Sequence, residues 1–290
     1  MCGAEGPDHK KALRPSERRE AAQFLVAEHA LSIQRACVSV TLPRSCWYRL
    51  PIDHLARDGE VISALTTVTD EHRRWGFWKS FDRLRLDGHH WNHKRVYRVY
   101  CQLGLNQKRR AKKRRLTRDR QPLDTPQIMN TVWAIDFMSD ALYVGRRFRT
   151  LNVLDEGIRE GLTIEIDTSL TGARVVRTLE RVCDWRGYPQ AIRCDNGPEF
   201  TSEVFVEWCQ RRNILIRYIQ PGQPNQNAYI ERFNRTYREE VLNSYLFDDL
   251  DDVREITNNW LTGYNERRPH DALNGMPPAI FREQQLRENS

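Results

Sequence analysis

Between residues 220 and 240 the chain reads Gln220-Pro221-Gly222-Gln223-Pro224-Asn225-Gln226-Asn227-Ala228-Tyr229-Ile230-Glu231-Arg232-Phe233-Asn234-Arg235-Thr236-Tyr237-Arg238-Glu239-Glu240. Its first eight residues are Pro, Gly, Asn and Gln, which read as a loop. A helix follows directly. Ile230, Phe233, Tyr237 and Val241 recur at i, i+3, i+7 and i+11, and at about 100° per residue they fall in one narrow apolar stripe. Glu231, Asn234, Arg235 and Arg238 lie on the adjoining side, Glu231 and Arg238 nearly superposed two turns apart. A carboxylate and a guanidinium therefore share one lateral edge of this helix.

Working towards the N-terminus, a strand from Ile214 to Tyr218 precedes the loop, and a helix with Val204, Phe205 and Trp208 precedes that strand. A short strand, Ala191 to Cys194, runs out into Asp195-Asn196-Gly197-Pro198. Before it, a helix with the stripe Val175, Val176, Leu179 and Val182 starts at Thr168 or Ser169 as cap and ends at Gly187 and Pro189. Three β-rich runs come first, Val132 to Met138, Phe148 to Leu154 and Leu162 to Ile166, spaced as antiparallel neighbours. Asp136 lies in the first of them, on the face opposite Trp133, Ile135 and Phe137. The fold class this predicts is α/β, a mixed sheet flanked by helices.

The region before the sheet is all-α. Apolar Ala21, Phe24, Leu25 and Ala27 follow Pro15-Ser16 at helical spacing. Ser32 caps a second helix, and after a break at Thr41-Leu42-Pro43 a third begins near Arg44. This is a helix-turn-helix candidate whose turn lacks the usual glycine. A second helical pair carries Trp78, Phe81, Leu84 and Leu86, then Asn92 as cap with Val96, Val99, Tyr100 and Leu103. Lys94, Arg95 and Arg98 make the outer face of the last helix basic, fit either for phosphates or for water. The domain plan is thus 1–105 helical, 106–126 linker, 127–285 sheet-bearing core with a helical tail.

Charge is concentrated in the linker. The whole chain of 290 residues carries a formal +7, yet nine Lys or Arg lie between Lys108 and Arg120 against the single acid Asp119. Lys108, Arg109, Arg110, Lys112, Lys113, Arg114 and Arg115 form its densest part, a pattern suited to an anionic partner such as DNA. Seven cysteines without a C-x-x-C pair fit neither a disulfide scaffold nor a zinc site, and point to a reducing cytoplasm. His89 and His93 have the spacing of a histidine pair but no cysteine pair follows. No apolar run approaches the roughly 20 residues of a membrane span, and the first 20 residues are polar and charged rather than a signal peptide.

Asp136, Asp195 and Glu231 sit at a strand, a strand end and a helix start, which can converge. Acids brought together repel unless cations lie between them, and hard cations take oxygen ligands. Singly, an Asp before Asn-Gly is a turn residue and a Glu four before Arg235 is a surface ion pair. Jointly they form a pattern. Trp-Ala-Ile-Asp-Phe-Met from Trp133, Cys-Asp-Asn-Gly-Pro-Glu-Phe from Cys194 and the 220–240 stretch resemble the catalytic core shared by retroviral integrases and bacterial insertion-sequence transposases of the copy-out type. Thirty-five residues separate Asp195 from Glu231, as in that family's signature of two Asp and a Glu, and Arg238 matches its basic residue on the same helix. Tyr-Asn-Glu-Arg-Arg-Pro-His-Asp-Ala-Leu from Tyr264 is similar to the family's tail.

The resemblance implies a ribonuclease-H-like core that cleaves and joins DNA strands at mobile-element ends. Asp136, Asp195 and Glu231 would hold two magnesium or manganese ions, with Asn196 and Asn227 supporting the acids and Arg238 positioning a phosphate. Arg44, Lys94, Arg95, Arg98 and the linker cations would contact DNA. Partners implied are element ends, target DNA, further copies of the chain on DNA, and an upstream-frame product that supplies end recognition. The sequence departs from the family at Asp155-Glu156-Gly157-Ile158, where a second Asp and an aromatic are usual, and in lacking the zinc module of retroviral integrases. A catalytically inert DNA-binding regulator and a nuclease acting on RNA hybrids are the competing readings; the family spacing of the acids opposes the first and the basic arm the second.

Overall fold

The computed structural model describes residues 15–49, 57–106, 127–220 and 227–288. The chain separates into two units, residues 1–59 and 60–290. In the first, α1 (Pro15–His29), α2 (Ile33–Ser39) and α3 (Arg44–Tyr48) close on Ala22, Ala36, Cys37 and Leu42. The Ser32 side chain accepts from the Arg35 amide, as the capping pattern predicts. The turn that lacks glycine is made by Thr41 at φ 53°, a left-handed conformation in which a β-branched residue is strained.

The second unit opens with three helices, α4 (Gly59–Glu71), α5 (Phe77–Leu86) and α6 (His93–Gln102). Asn92 caps α6 by accepting from the Lys94 amide at 2.9 Å. Two expectations are corrected here. Trp78, Leu86 and Leu103 are exposed, and the buried positions are Val61, Leu65, Val68, Trp75, Phe81, Leu84, Val96, Val99 and Tyr100. The helical pair is therefore a trio, and α4 supplies the face that covers α5 and α6.

The sheet is five-stranded in the order β3-β2-β1-β4-β5, with β1 Val132–Ala141, β2 Arg147–Asp155, β3 Glu160–Asp167, β4 Ala191–Cys194 and β5 Leu215–Tyr218. β1, β2 and β3 pair antiparallel, while β1, β4 and β5 pair parallel. Parallel pairing needs crossovers, which α7 (Gly172–Arg186) and α8 (Glu203–Arg211) provide. Alternation along β1 divides the core. Trp133 and Ile135 face α7 and α8 with Leu151, Val153, Leu179, Phe205 and Trp208. Ala134 and Met138 face α9 (Ala228–Tyr237), a π-helical turn (Arg238–Leu242) and α10 (Leu250–Glu266). The stripe Ile230, Phe233, Tyr237 and Val241 is buried on that second face. The N-cap of α7 is Thr171, not Thr168 or Ser169, because Asp167 Oδ1 takes the Thr168 amide and holds that residue in the strand-end turn.

The segment that departs from the family pattern is a buried charged corner. Asp155 accepts from the amides of Asn130 and Gly157 and lies 3.3 Å from Arg186, which also pairs with Glu160 at 2.8 Å. Glu156 meets Arg193 at 3.0 Å. Burial raises the carboxyls of Asp155 and Glu160 above their ordinary range, against the arginines that pull them down. Gly157 is required by close approach, since a Cβ there would lie 2.1 Å from the carbonyl oxygen of Ile128. Gly157→Ala is therefore expected to cost about 1–3 kcal/mol through overpacking against backbone, read as a fall in melting temperature. An unchanged melting temperature would contradict this packing.

Candidate active site

Asp136 lies midway along β1, half-buried between Ala134 and Met138 on the face that α9 covers. Its cross-strand partner on β2 is Asn152. Asn234, nearly two turns into α9, bridges them: its Nδ2 donates to Asp136 Oδ2 at 2.8 Å, and its Oδ1 accepts from Asn152 Nδ2 at 2.7 Å. The Phe137 amide donates to the other oxygen, Oδ1, at 2.8 Å. Both carboxylate oxygens are thus oriented by the fold before any ligand arrives.

Asp195 is exposed at the end of β4, where its Oδ1 accepts from the Gly197 amide at 2.9 Å in a tight turn. Glu231 is exposed in the first turn of α9. The carboxyl of Asp136 is pushed up to about 6, first by burial and further by the negative charges of Asp195 and Glu231; the Phe137 and Asn234 hydrogen bonds oppose the rise. Asp195 and Glu231, from two other elements, therefore both act on Asp136 in the central strand of the sheet.

Among the described residues no three His, Cys, Asp or Glu side chains stand close enough to hold a metal ion as they are placed. The donor set nonetheless suits a hard divalent cation, since all three groups are carboxylates and their mutual repulsion is what such a cation relieves. His89 stacks on Trp91 at 4.3 Å.

The other expected site residues distribute as follows. Asn196 is exposed, and its Nδ2 donates to the Ile219 carbonyl at 3.4 Å. Asn227, at the N-cap of α9, is buried; among the described residues its Oδ1 has no hydrogen-bond partner and makes no side-chain cap. Arg238 reaches back to β1, 3.3 Å from Asp140 and 3.0 Å from the Ser139 carbonyl. It stands at the start of the π-helical turn, a feature frequent at functional sites. Arg44 and Lys94 are exposed, Arg95 and Arg98 half-buried, and Lys108, Arg109, Arg110, Lys112, Lys113, Arg114 and Arg115 lie outside the described residues. Sequence reasoning missed the bridging role of Asn234 and Asn152. The one available signal was the placement of Asn234 beside Glu231 on the polar side of α9.

The metal-free carboxyl of Asp136 should titrate near pH 6 by carboxyl-carbon NMR, and lower when Asp195→Asn and Glu231→Gln remove the repelling charges. Because the folded protein holds this proton more tightly than the unfolded chain, the stability it contributes is full below about pH 4 and lost as pH rises through about 6. A midpoint near 4, indifferent to the two neutralisations, would contradict the convergence.

Two family models described as integrase core domain match residues 126–224 and 212–278, and one described as HTH-like domain matches 56–114. The HTH-like match covers the trio α4–α6 and not the α2–α3 turn singled out from the sequence. The insertion element IS476 protein of Xanthomonas euvesicatoria is 39% identical over 96% of this chain and 80% of its own length. The insertion element IS407 protein of Burkholderia multivorans is 41% identical over 87% and 90%. The HTLV-2 integrase catalytic core domain in complex with magnesium aligns with a TM-score of 0.42 at 17% identity, over 54% of this chain and 99% of that one. With the integrase core matched across residues 126–278 and insertion-element relatives aligned along most of both lengths, the chain belongs to the bacterial insertion-sequence transposases built on an integrase core.

Proposed function

We propose that the chain cleaves DNA strands at the ends of its element and joins them to target DNA, with Asp136, Asp195 and Glu231 holding two magnesium or manganese ions. The observation that carries this reading is the placement of three carboxylates, on β1, at the end of β4 and in the first turn of α9, within the span matched by the integrase core models; the raised carboxyl of Asp136 is in keeping with it. Evolution of a fold that gathers uncompensated like charges is costly unless a cation is their partner. Bound there, the ions would supply activation of the attacking oxygen and stabilisation of the leaving oxygen at a phosphodiester.

The chain's own groups do the positioning. Asn234 and the Phe137 amide fix the two oxygens of Asp136, and the Gly197 amide fixes one of Asp195. In cleavage water attacks the phosphorus and the P–O bond to the 3′-oxygen breaks, freeing a 3′-hydroxyl; in joining that hydroxyl attacks a target-DNA phosphorus and the target strand's own 3′-oxygen leaves as a hydroxyl. Arg238, braced on Asp140 and the Ser139 carbonyl with 39% of its side chain exposed, presents its remaining donors to a DNA phosphate. The exposed Lys94, with Arg95 and Arg98 on the same helix of the HTH-like region, Arg44 of the first unit and the basic run from Lys108 would carry further phosphate contacts. The working assembly gathers several copies on DNA, with an upstream-frame product adding end recognition. We place the enzyme in the cytoplasm, where its DNA is; no helix among the described residues is long and apolar enough to cross a membrane.

Asp136→Asn, Asp195→Asn and Glu231→Gln should each lower cleavage and joining of labelled element ends in Mg²⁺ on the order of 10⁴-fold, with binding to the same duplex nearly unchanged. Near-normal turnover in any one of them would remove that residue from the triad. For the linker, replacing Arg109, Arg110, Lys112 and Lys113 with Gln should weaken binding to all duplexes alike. The slope of log affinity against log salt should flatten by about three to four. An unchanged slope would show that the basic run does not touch phosphate.

A further inference from the structure

A closed ring of contacts crosses β1, β2 and the segment after β4, using two charged residues outside the acidic trio. Arg149 on β2 pairs with Glu199, four residues after Asp195. Its guanidinium carbon lies 4.2 Å from the centre of the Phe137 ring. Phe137 in turn stacks on Phe200 with centroids 4.9 Å apart and planes 17° from parallel. Glu199 and Phe200 are adjacent in the chain, so the ring closes. Phe200 is fully buried, and the Glu199 side chain is 16% exposed.

The register explains how the ring forms. Phe137 pairs with Leu151 and Ser139 with Arg149, so Arg149 is the diagonal neighbour of Phe137 on one sheet face. An ion pair at the surface contributes little by itself. This one is tied down by the aromatic stack beneath it, and both ends of the stack belong to acid-bearing segments. The Phe137 amide orients Asp136, and the turn that orients Asp195 leads directly into Glu199.

Glu199 also adds a further negative charge beside Asp195. A Cβ on Gly197 would lie 2.9 Å from Asp195 Oδ1 and 3.5 Å from Glu199 Oε2, so the two carboxylates flank the same point. Arg149 neutralises the second of them. We propose that Arg149 and Glu199 are a positioning pair that fixes the spacing between Asp136 and Asp195 and sets the net charge a divalent cation meets there. The proposal rests on the reading of Asp136, Asp195 and Glu231 as cation ligands, and extends it to a pair that would not itself coordinate.

Calorimetric titration of the full chain with Mg²⁺ alone tests it. Arg149→Gln leaves Glu199 unneutralised beside Asp195, so the Mg²⁺ midpoint should fall about fivefold; Glu199→Gln leaves an unpaired cation, so it should rise about fivefold. The double variant should return to within about twofold of the parent. All three should join DNA at least about tenfold more slowly at saturating Mg²⁺. A pair with a merely structural role would lower melting temperature and joining but leave the midpoint in place or move it one way in both single variants, and that result overturns the proposal. Arg149→Lys and Glu199→Asp guard against misfolding: they keep the charges and lose the geometry, so joining should fall with the midpoint unmoved. Unchanged joining in both would also overturn it. Asp195→Asn separates the two levels. If it leaves Mg²⁺ binding intact, the ligand reading fails and this inference with it; if it abolishes binding while the Arg149 and Glu199 variants titrate like the parent, this inference alone fails.

Discussion

The structure is organised around a carboxylate placed where a carboxylate is costly, in the middle of the central strand pair and under a helix. Asp136 tolerates that place because two hydrogen bonds are aimed at it, one from its own strand and one from Asn234. The remaining strain is electrostatic, since Asp195 and Glu231 arrive from the neighbouring strand end and from α9 with the same sign of charge. Much of the local architecture can be understood as holding these groups together against their repulsion. Asn152 fixes Asn234, Arg238 ties the end of α9 to β1, and Arg149 neutralises the extra acid at Glu199.

The support extends outward through α9. The π-helical turn after it is anchored by Glu240, which accepts two hydrogen bonds from Arg268 and one from Trp260. Tyr237 bonds to Thr257 of α10 in the buried interior, and Phe233 and Tyr264 meet edge to face at 5.0 Å. The tail motif that begins at Tyr264 therefore braces the helix that carries Glu231.

Most of this was legible in the sequence because it rests on periodicities. The stripe Ile230, Phe233, Tyr237 and Val241 and the alternation around Asp136 follow from 3.6 and 2.0 residue repeats, and the structure buries each on the face predicted. The helix α4 escaped the sequence reading although Val61, Leu65 and Val68 stand at i, i+4 and i+7. Contacts between distant segments escaped as well. Asn152 and Asn234 are 82 positions apart, Arg149 and Glu199 are 50, and no local pattern marks which polar residues meet across a sheet. The exposed Trp78 and Leu86 show the converse limit, because a helical period fixes which residues share a face and not what covers it.

The central claim is that Asp136, Asp195 and Glu231 form one cation site. The most direct measurement is anomalous scattering from a crystal of the full chain soaked in Mn²⁺. The account predicts anomalous peaks bounded by oxygens of these three residues, at ligand distances near 2.1–2.2 Å, about the spacing of a small oxygen-coordinated divalent ion. Peaks located elsewhere, with Asp136 and Asp195 ordered and unliganded, would contradict it.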